Sequence, residues 1–177
     1  MMVDPFTALA ILALYVAAAG GFIPVGMHML GRGKPEEVGA NTFFLGIFQF
    51  LAVAYLFWMA VSQNNGVFAV VAVNVAALSF IWLTLGLTWM KGWGLQPLGY
   101  HLLISTIIFL ALAAWYSTLP AYSLAVMNVT YAITVFSIFL LIIGKITNPK
   151  IPAAFLLVFG VITVFIPAIA MLFIKLP

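Results

Sequence analysis

Hydrophobic residues along this chain fall into six long runs, and the polar and helix-breaking residues lie almost wholly in the gaps between them. The runs cover about Thr7–Leu30, Asn41–Ser62, Val67–Met90, Leu98–Trp115, Tyr122–Gly144 and Pro152–Ile174. A helix rising ~1.5 Å per residue needs roughly 20 apolar residues to cross a hydrocarbon core of ~30 Å, which is the scale of each run. The gaps are short and rich in turn formers: Gly31-Arg32-Gly33-Lys34-Pro35, Gln63-Asn64-Asn65-Gly66, Lys91-Gly92-Trp93-Gly94, Ser117-Thr118-Leu119-Pro120 and Thr147-Asn148-Pro149-Lys150. Connections that short force neighbouring helices to run antiparallel. The pattern predicts an all-α integral membrane protein, a six-transmembrane-helix bundle made of three antiparallel hairpins. Residues 1–177 form a single transmembrane domain in this reading, with no room for a soluble one.

Composition points the same way, with 67% hydrophobic and 5% charged residues where a soluble domain carries roughly 25% charged. Placement of the charges then sets orientation. With six spans, Arg32, Lys34, Lys91, Lys145 and Lys150 share one side and only Lys175 lies on the other. The crowded side is expected to be cytoplasmic, which puts both termini outside. Glu36 and Glu37 count little in that rule and read as a solvated face beside Arg32 and Lys34. The net charge of +3 thus reports topology, and no basic patch mixed with aromatics is present to bind nucleic acid. No cysteine is present, which removes disulfides, thiol nucleophiles and sulfur metal sites. The start, Met1-Met2-Val3-Asp4-Pro5, lacks the positive region of a cleavable signal peptide, so the first span is expected to be retained.

The missing chemistry narrows function further. No Asp, Glu, Lys or Arg lies within any run, which leaves no proton relay, ion-pair switch or carboxylate site for a coupling cation. The only histidines are His28 and His101, too few for a metal centre, and a serine or threonine nucleophile would lack a positioned base. Neither an enzyme nor a cofactor or metal is expected. Both histidines lie near cytoplasmic helix ends, and two readings stand: a satisfied interfacial side chain, or a pH-sensitive group at the inner mouth.

What remains is a set of neutral polar groups and aromatics. Runs one, three and five share a direction, and each carries a polar residue six to eight positions in: Tyr15, Asn74 and Asn128. That spacing sets all three about 9–12 Å below their helix starts, so a ring of polar groups can form at one depth. The asparagines serve equally well as packing glue between helices. Asn74-Val75-Ala76-Ala77-Leu78-Ser79-Phe80 and Asn128-Val129-Thr130-Tyr131-Ala132-Ile133 resemble each other faintly, as in a weak hairpin repeat. Gln49, Thr84, Thr88, Thr130 and Thr134 add uncharged donors and acceptors, although membrane threonines commonly bond their own preceding turn. Ala17-Ala18-Ala19-Gly20-Gly21 gives the first run a smooth face, and Pro24 frees one backbone carbonyl and bends the helix. Phe80, Trp82, Tyr131, Phe136, Phe139 and Phe159 are candidates for an aromatic constriction, or for a lipid-facing or core surface.

Leu14-Tyr15-Val16, Asn41-Thr42-Phe43-Phe44-Leu45-Gly46 and Thr163-Val164-Phe165-Ile166-Pro167-Ala168 occur in an order and at spacings that resemble one family. It is the AmiS/UreI family of urea and short-chain amide channels, encoded beside ureases and aliphatic amidases. The similarity runs over nearly the whole chain. It implies a homo-hexamer in the cytoplasmic membrane, each protomer with its own pore for urea or a short amide, functionally linked to a cytoplasmic amidase or urease. The tryptophan-rich face of urea-passing members is matched by Asn128, Tyr131 and Val135, of which only Tyr131 is aromatic. A glutamate of those members is matched by Phe159, and an Asn-Gly pair by Val25-Gly26 across a two-residue insertion. Gln63-Asn64-Asn65-Gly66 stands where acid-gated members have a long histidine-bearing loop, so gating of that type is not expected.

The mechanism these residues suggest is passive permeation of a small neutral solute through a mostly apolar slot, where a few neutral donors and acceptors replace part of its hydration. Ions would be excluded because no fixed charge offsets their desolvation. The expected lining is Tyr15, Val16, Asn74, Phe80, Thr84, Asn128, Tyr131 and Phe159. Two alternatives remain open. A carrier of acetate-like monocarboxylates also has six spans, and Ser79-Phe80-Ile81-Trp82-Leu83-Thr84-Leu85 faintly resembles a segment of that family, although its Asn-Pro-Ala-Pro-Leu-Gly opening is missing. A non-transporting membrane scaffold is the other.

Overall fold

The computed structural model describes residues 18–118 and 122–165, all helical or in short connections, with no strand among them. Helix α1 is described over 18–29. It is followed by α2 (Pro35–Ser62), α3 (Gly66–Lys91), α4 (Gln96–Ser117), α5 (Tyr122–Ile142) and α6 (Lys150–Phe159), which continues as a π-helical turn, Gly160–Phe165. Helices α2 to α5 are each long and apolar enough to cross a membrane. Tyr15, Val16, Leu14, Lys175, both termini and the Ile166-Pro167-Ala168 part of the third family motif lie outside the described residues.

Helix α2 starts six residues before the apolar run that signals it. Pro35 occupies its first turn, where the missing N–H costs nothing, and Glu36 and Glu37 complement the positive end of the helix dipole. Polar residues can therefore be helical here without belonging to the apolar span. The same applies to Gln96-Pro97 at the start of α4. Asn65 caps α3 by accepting from the Val67 N–H, and Gly92 ends that helix in the left-handed conformation, φ 65°.

Helices α2 and α3 pack antiparallel along a seam of small residues. A Cβ on Gly86 would fall 2.6 Å from the Phe43 nitrogen and 2.8 Å from the Gly39 oxygen, so the two backbones are as close as glycine permits. Farther along, Ser79 Oγ donates to the Gly46 carbonyl at 2.8 Å. Beyond that, Val53, Leu56 and Met59 meet Phe68, Ala72 and Val75. Helices α4 and α5 form a second antiparallel pair, with Gly99 against Ile142 at one end and Phe109 against Tyr131 nearer the other.

Helix α1 is held by two devices. Pro24 cannot donate to the carbonyl one turn back, that of Gly20, and Asn41 Nδ2 of α2 donates to it instead at 3.1 Å. Gly26 faces Leu157, and Gly160 faces the Cβ of Phe22, which seats α6 against α1.

All described charges lie in connections or at helix ends, and the one ion pair among them, Lys34–Glu37 at 3.9 Å, is exposed. Arg32, Lys34, Lys91, Lys145 and Lys150 gather at a single end of the bundle, set by the connections 30–34, 92–95 and 143–149; this is termed the basic end. Around the outside, Phe44, Phe48, Leu51, Tyr55 and Trp58 recur at three- and four-residue intervals on α2 and are all exposed. In water such a stripe would be buried; in a membrane protein it can face lipid or a neighbouring protomer.

Candidate functional site

Two cavities lie among α1, α3 and α5. The larger, about 210 Å³, opens toward the basic end between His28, Trp89, Leu95 and Pro149, and its deep wall includes Phe22, Leu78 and Trp82. The smaller, about 30 Å³, lies toward the far end and is lined by Ala18, Gln49, Asn74, Tyr116, Tyr131 and neighbouring aliphatic side chains. Leu78 lines both.

The linings follow helical faces. On α3 they run Val71, Asn74, Val75, Leu78, Ile81, Trp82, Leu85 and Trp89, and on α5 Leu124, Met127, Tyr131, Val135, Ile138 and Ile142. The α5 series steps by three and four, and the α3 series does so apart from the adjacent pairs Asn74-Val75 and Ile81-Trp82, so one face of each helix serves both cavities. The α5 series spans about 27 Å at 1.5 Å per residue, close to the thickness of a hydrocarbon core. The two cavities thus lie one beyond the other along the same helical faces.

Between them stands an aromatic collar. Phe22 meets the edge of Trp82 with ring centroids 5.2 Å apart and lies 5.4 Å from the ring of Tyr131. Phe109 backs Tyr131 at 5.5 Å. Phe22, Trp82 and Tyr131 are all almost fully buried, so the walls are fixed by packing. Trp82 is in turn pressed against α1 at Gly21, where a Cβ would come within 2.9 Å of its Cζ2.

The polar groups concentrate in the far-end cavity. Asn128 Nδ2 donates to the Leu124 carbonyl one turn back at 2.9 Å. Its Oδ1 accepts from Asn74 Nδ2, also at 2.9 Å. The two asparagines that the sequence sets at equal depth thus meet across the α3–α5 contact, with Asn128 fully buried behind and Asn74 on the cavity wall. Gln49 reaches the same cavity from α2, and its Oε1 is buried with no hydrogen-bond partner among the described residues. Trp82 Nε1 is buried in the same condition nearer the basic end. Thr106, Thr130 and Thr134 each return their hydroxyls to their own helix, as do Thr42 and Ser137. At the basic mouth His28 Nδ1 lies 3.2 Å from the Gly33 oxygen, and the imidazole packs on Trp89. His101 is exposed on α4.

Of the residues expected from sequence to line a pore, Asn74 and Tyr131 stand on the cavity walls and Asn128 directly supports Asn74. Phe80 faces outward, half exposed, against Phe50 of α2. Thr84 lies off the lining face of α3, and Phe159 stacks on Phe155 away from both cavities. The lining that sequence reasoning passed over is aliphatic or aromatic: Phe22, Leu78 and Leu85 above all. The cavity face of α3 runs from Asn74 through Leu78, Ile81, Trp82 and Leu85, and neither Phe80 nor Thr84 lies on it. Among the described residues no group of His, Cys, Asp or Glu is placed to hold a metal ion.

A model of the AmiS/UreI family, described as transporters, matches residues 8–175. Among curated proteins none matches the chain significantly. Two solved structures share the fold. One is a cryo-electron microscopy structure of the Helicobacter pylori urea channel in a closed state, 18% identical, with 93% of this chain and 97% of that one covered and a TM-score of 0.79. The other is a crystal structure of the urea channel from the human gastric pathogen Helicobacter pylori, 19% identical, with 94% and 98% covered and a TM-score of 0.79. At those identities the likeness is one of fold.

Proposed function

The chain belongs to the AmiS/UreI family of transporters, and from that membership we propose that it passes urea or a short-chain aliphatic amide passively along the axis joining its two cavities. It is a multi-pass membrane protein and a transporter rather than an enzyme. The observation that carries the solute class is the collar of Phe22, Trp82 and Tyr131 with Leu78, set between two uncharged cavities. A planar neutral solute can slide between such faces, shedding most of its water and recovering part of that loss at Asn74 and Gln49. An ion cannot, because nothing on the axis offsets its desolvation.

In this reading the spans number six, both termini face outward, and the basic end faces the cytoplasm. Protomers assemble as a hexamer in the cytoplasmic membrane, and an amidase or urease consumes what enters. Tyr15 and Val16, three and two residues before Ala18 in the chain, belong to the solute path in this reading. Cavities sharing one axis are what a conduit requires and a scaffold does not.

Stopped-flow light scattering on proteoliposomes tests the reading, with urea, acetamide and acetate compared with and without an imposed proton gradient. The expected result is rapid urea or acetamide entry that does not saturate and ignores the gradient. Gradient-dependent acetate uptake would replace the channel with a carrier, and no flux above empty liposomes would leave only a scaffold.

A further inference from the structure

The basic-end cavity is the larger of the two, and its walls are almost wholly hydrocarbon. They come from α1 and from α3 to α6: Val25, Leu85, Leu98, Leu102, Ile138 and Leu156 are contributed in that order. All but Ile138 are buried, so packing sets their positions. Trp82 stands on the deep wall, but its one polar atom, Nε1, is buried out of the cavity's reach. The other nitrogen-bearing side chains of the lining, His28 and Trp89, stand at the mouth. Water inside such a space finds few partners. An apolar cavity of about 150 Å³ holds a molecule the size of benzene, and at about 210 Å³ this one has room for a chain of roughly four to six carbons.

We propose that this cavity is an alkyl subsite, which takes the hydrocarbon end of a linear aliphatic amide toward the collar while the amide group stays hydrated at the mouth beside His28. This deepens the function proposed above and rests on it, and it names aliphatic amides rather than urea as the solutes that the cavity favours. Each methylene that leaves water for an apolar wall gains free energy, so affinity rises by about threefold to fourfold per methylene. Urea has a hydrogen-bonding group on every side of its carbon, so it gains nothing from walls such as Leu85 and Leu102. Phe22 and Trp82 belong both to the deep wall and to the collar. An amide long enough to fill the cavity therefore stands in the solute path against the collar, and added chain length turns a permeant into a blocker.

Urea permeability of proteoliposomes, read with an amide at equal concentration on both sides, tests the subsite across the linear amides from acetamide to octanamide, with empty liposomes as the lipid background. The half-blocking concentration is expected to fall about threefold to fourfold per methylene and to stop falling once the cavity is full, at roughly six carbons. Leu85→Phe fills part of the cavity and is expected to end the series at a shorter chain; Ile138→Phe does the same from α5 should the first variant fail to assemble. A half-blocking concentration that ignores chain length, or one that keeps falling through octanamide as lipid solubility does, would overturn the subsite while leaving the channel standing. So would an assembled filled variant with the wild-type series, and should neither variant assemble, the wild-type limit decides alone. No urea flux above empty liposomes would overturn the transport reading beneath it. The same amides then decide the subsite without flux, through a melting temperature in detergent that rises with chain length up to the same limit; no such rise would overturn it as well.

Discussion

Glycine at position 21 shows how little slack the collar has. It lies where α1 crosses the indole of Trp82, and an added methyl would sit 2.9 Å from Cζ2 and 2.5 Å from Leu45 Cδ2. The leucine tip can turn aside, but a rigid indole can relieve the contact only by moving as a unit, and Phe22 is packed on it. Gly21→Ala is therefore expected to lower urea or acetamide flux severalfold; undiminished flux would show that Trp82 does not set the aperture. The opposite change, Phe22→Leu, removes a ring from the collar and is expected to raise the flux of butyramide relative to acetamide, read in the same proteoliposomes. A constant ratio would place the size limit elsewhere. Sequence alone exposes the polar members of this site, because Asn74 and Asn128 are conspicuous in apolar runs. It also offers Trp82 and Tyr131 among six candidates for a constriction, but it hides Phe22 and Leu78, which are ordinary residues among many alike and are distinguished only by the helical face on which they fall.

Helices in this protein are joined where backbones can approach or exchange a hydrogen bond, and both devices can be tested. At Gly86 the atoms that a Cβ would meet include the backbone nitrogen of Phe43 and the carbonyl of Gly39, neither of which can swing away. Gly86→Ala is expected to part α2 from α3 and to destabilise the protein by about 1–3 kcal/mol, seen as a lower melting temperature in detergent. At Pro24 the test is a double-mutant cycle. Asn41→Ala removes the donor that satisfies the Gly20 carbonyl and is expected to cost about 1 kcal/mol. Pro24→Ala returns a backbone N–H that can serve that carbonyl, so Asn41→Ala made in that background is expected to cost much less. Equal costs in both backgrounds would mean that the two residues are not coupled. Element existence was legible from the apolar runs, since a membrane helix must be continuously apolar over its span. The early start of α2 at Pro35 was not, because Glu36 and Glu37 satisfy a helix terminus and say nothing about hydrophobicity. Nor does the sequence announce the π-helical turn at Gly160–Phe165, which breaks no apolar pattern.

Across the whole molecule the described charges stand at helix ends and no Asp, Glu, Lys or Arg lines either cavity, with one narrow collar between a wide basic-end cavity and a small far-end one. A neutral solute on such an axis feels no long-range field, since exposed charges are screened within ~8 Å at physiological salt. Nor does any described ion pair have to open and close during a passage. Unitary flux should then be set by the collar alone. Urea or acetamide permeability is expected to be equal for influx and efflux, and the same in low and high salt, when measured by stopped-flow light scattering on proteoliposomes under opposed osmotic gradients. The two cavities differ about sevenfold in volume, yet that asymmetry cannot rectify a passive flux at equal concentrations, because a barrier has the same height above solution from either side. Unequal permeabilities or a steep salt dependence would require a second, charged or mobile barrier in series with the collar, and the single-collar account would then fail.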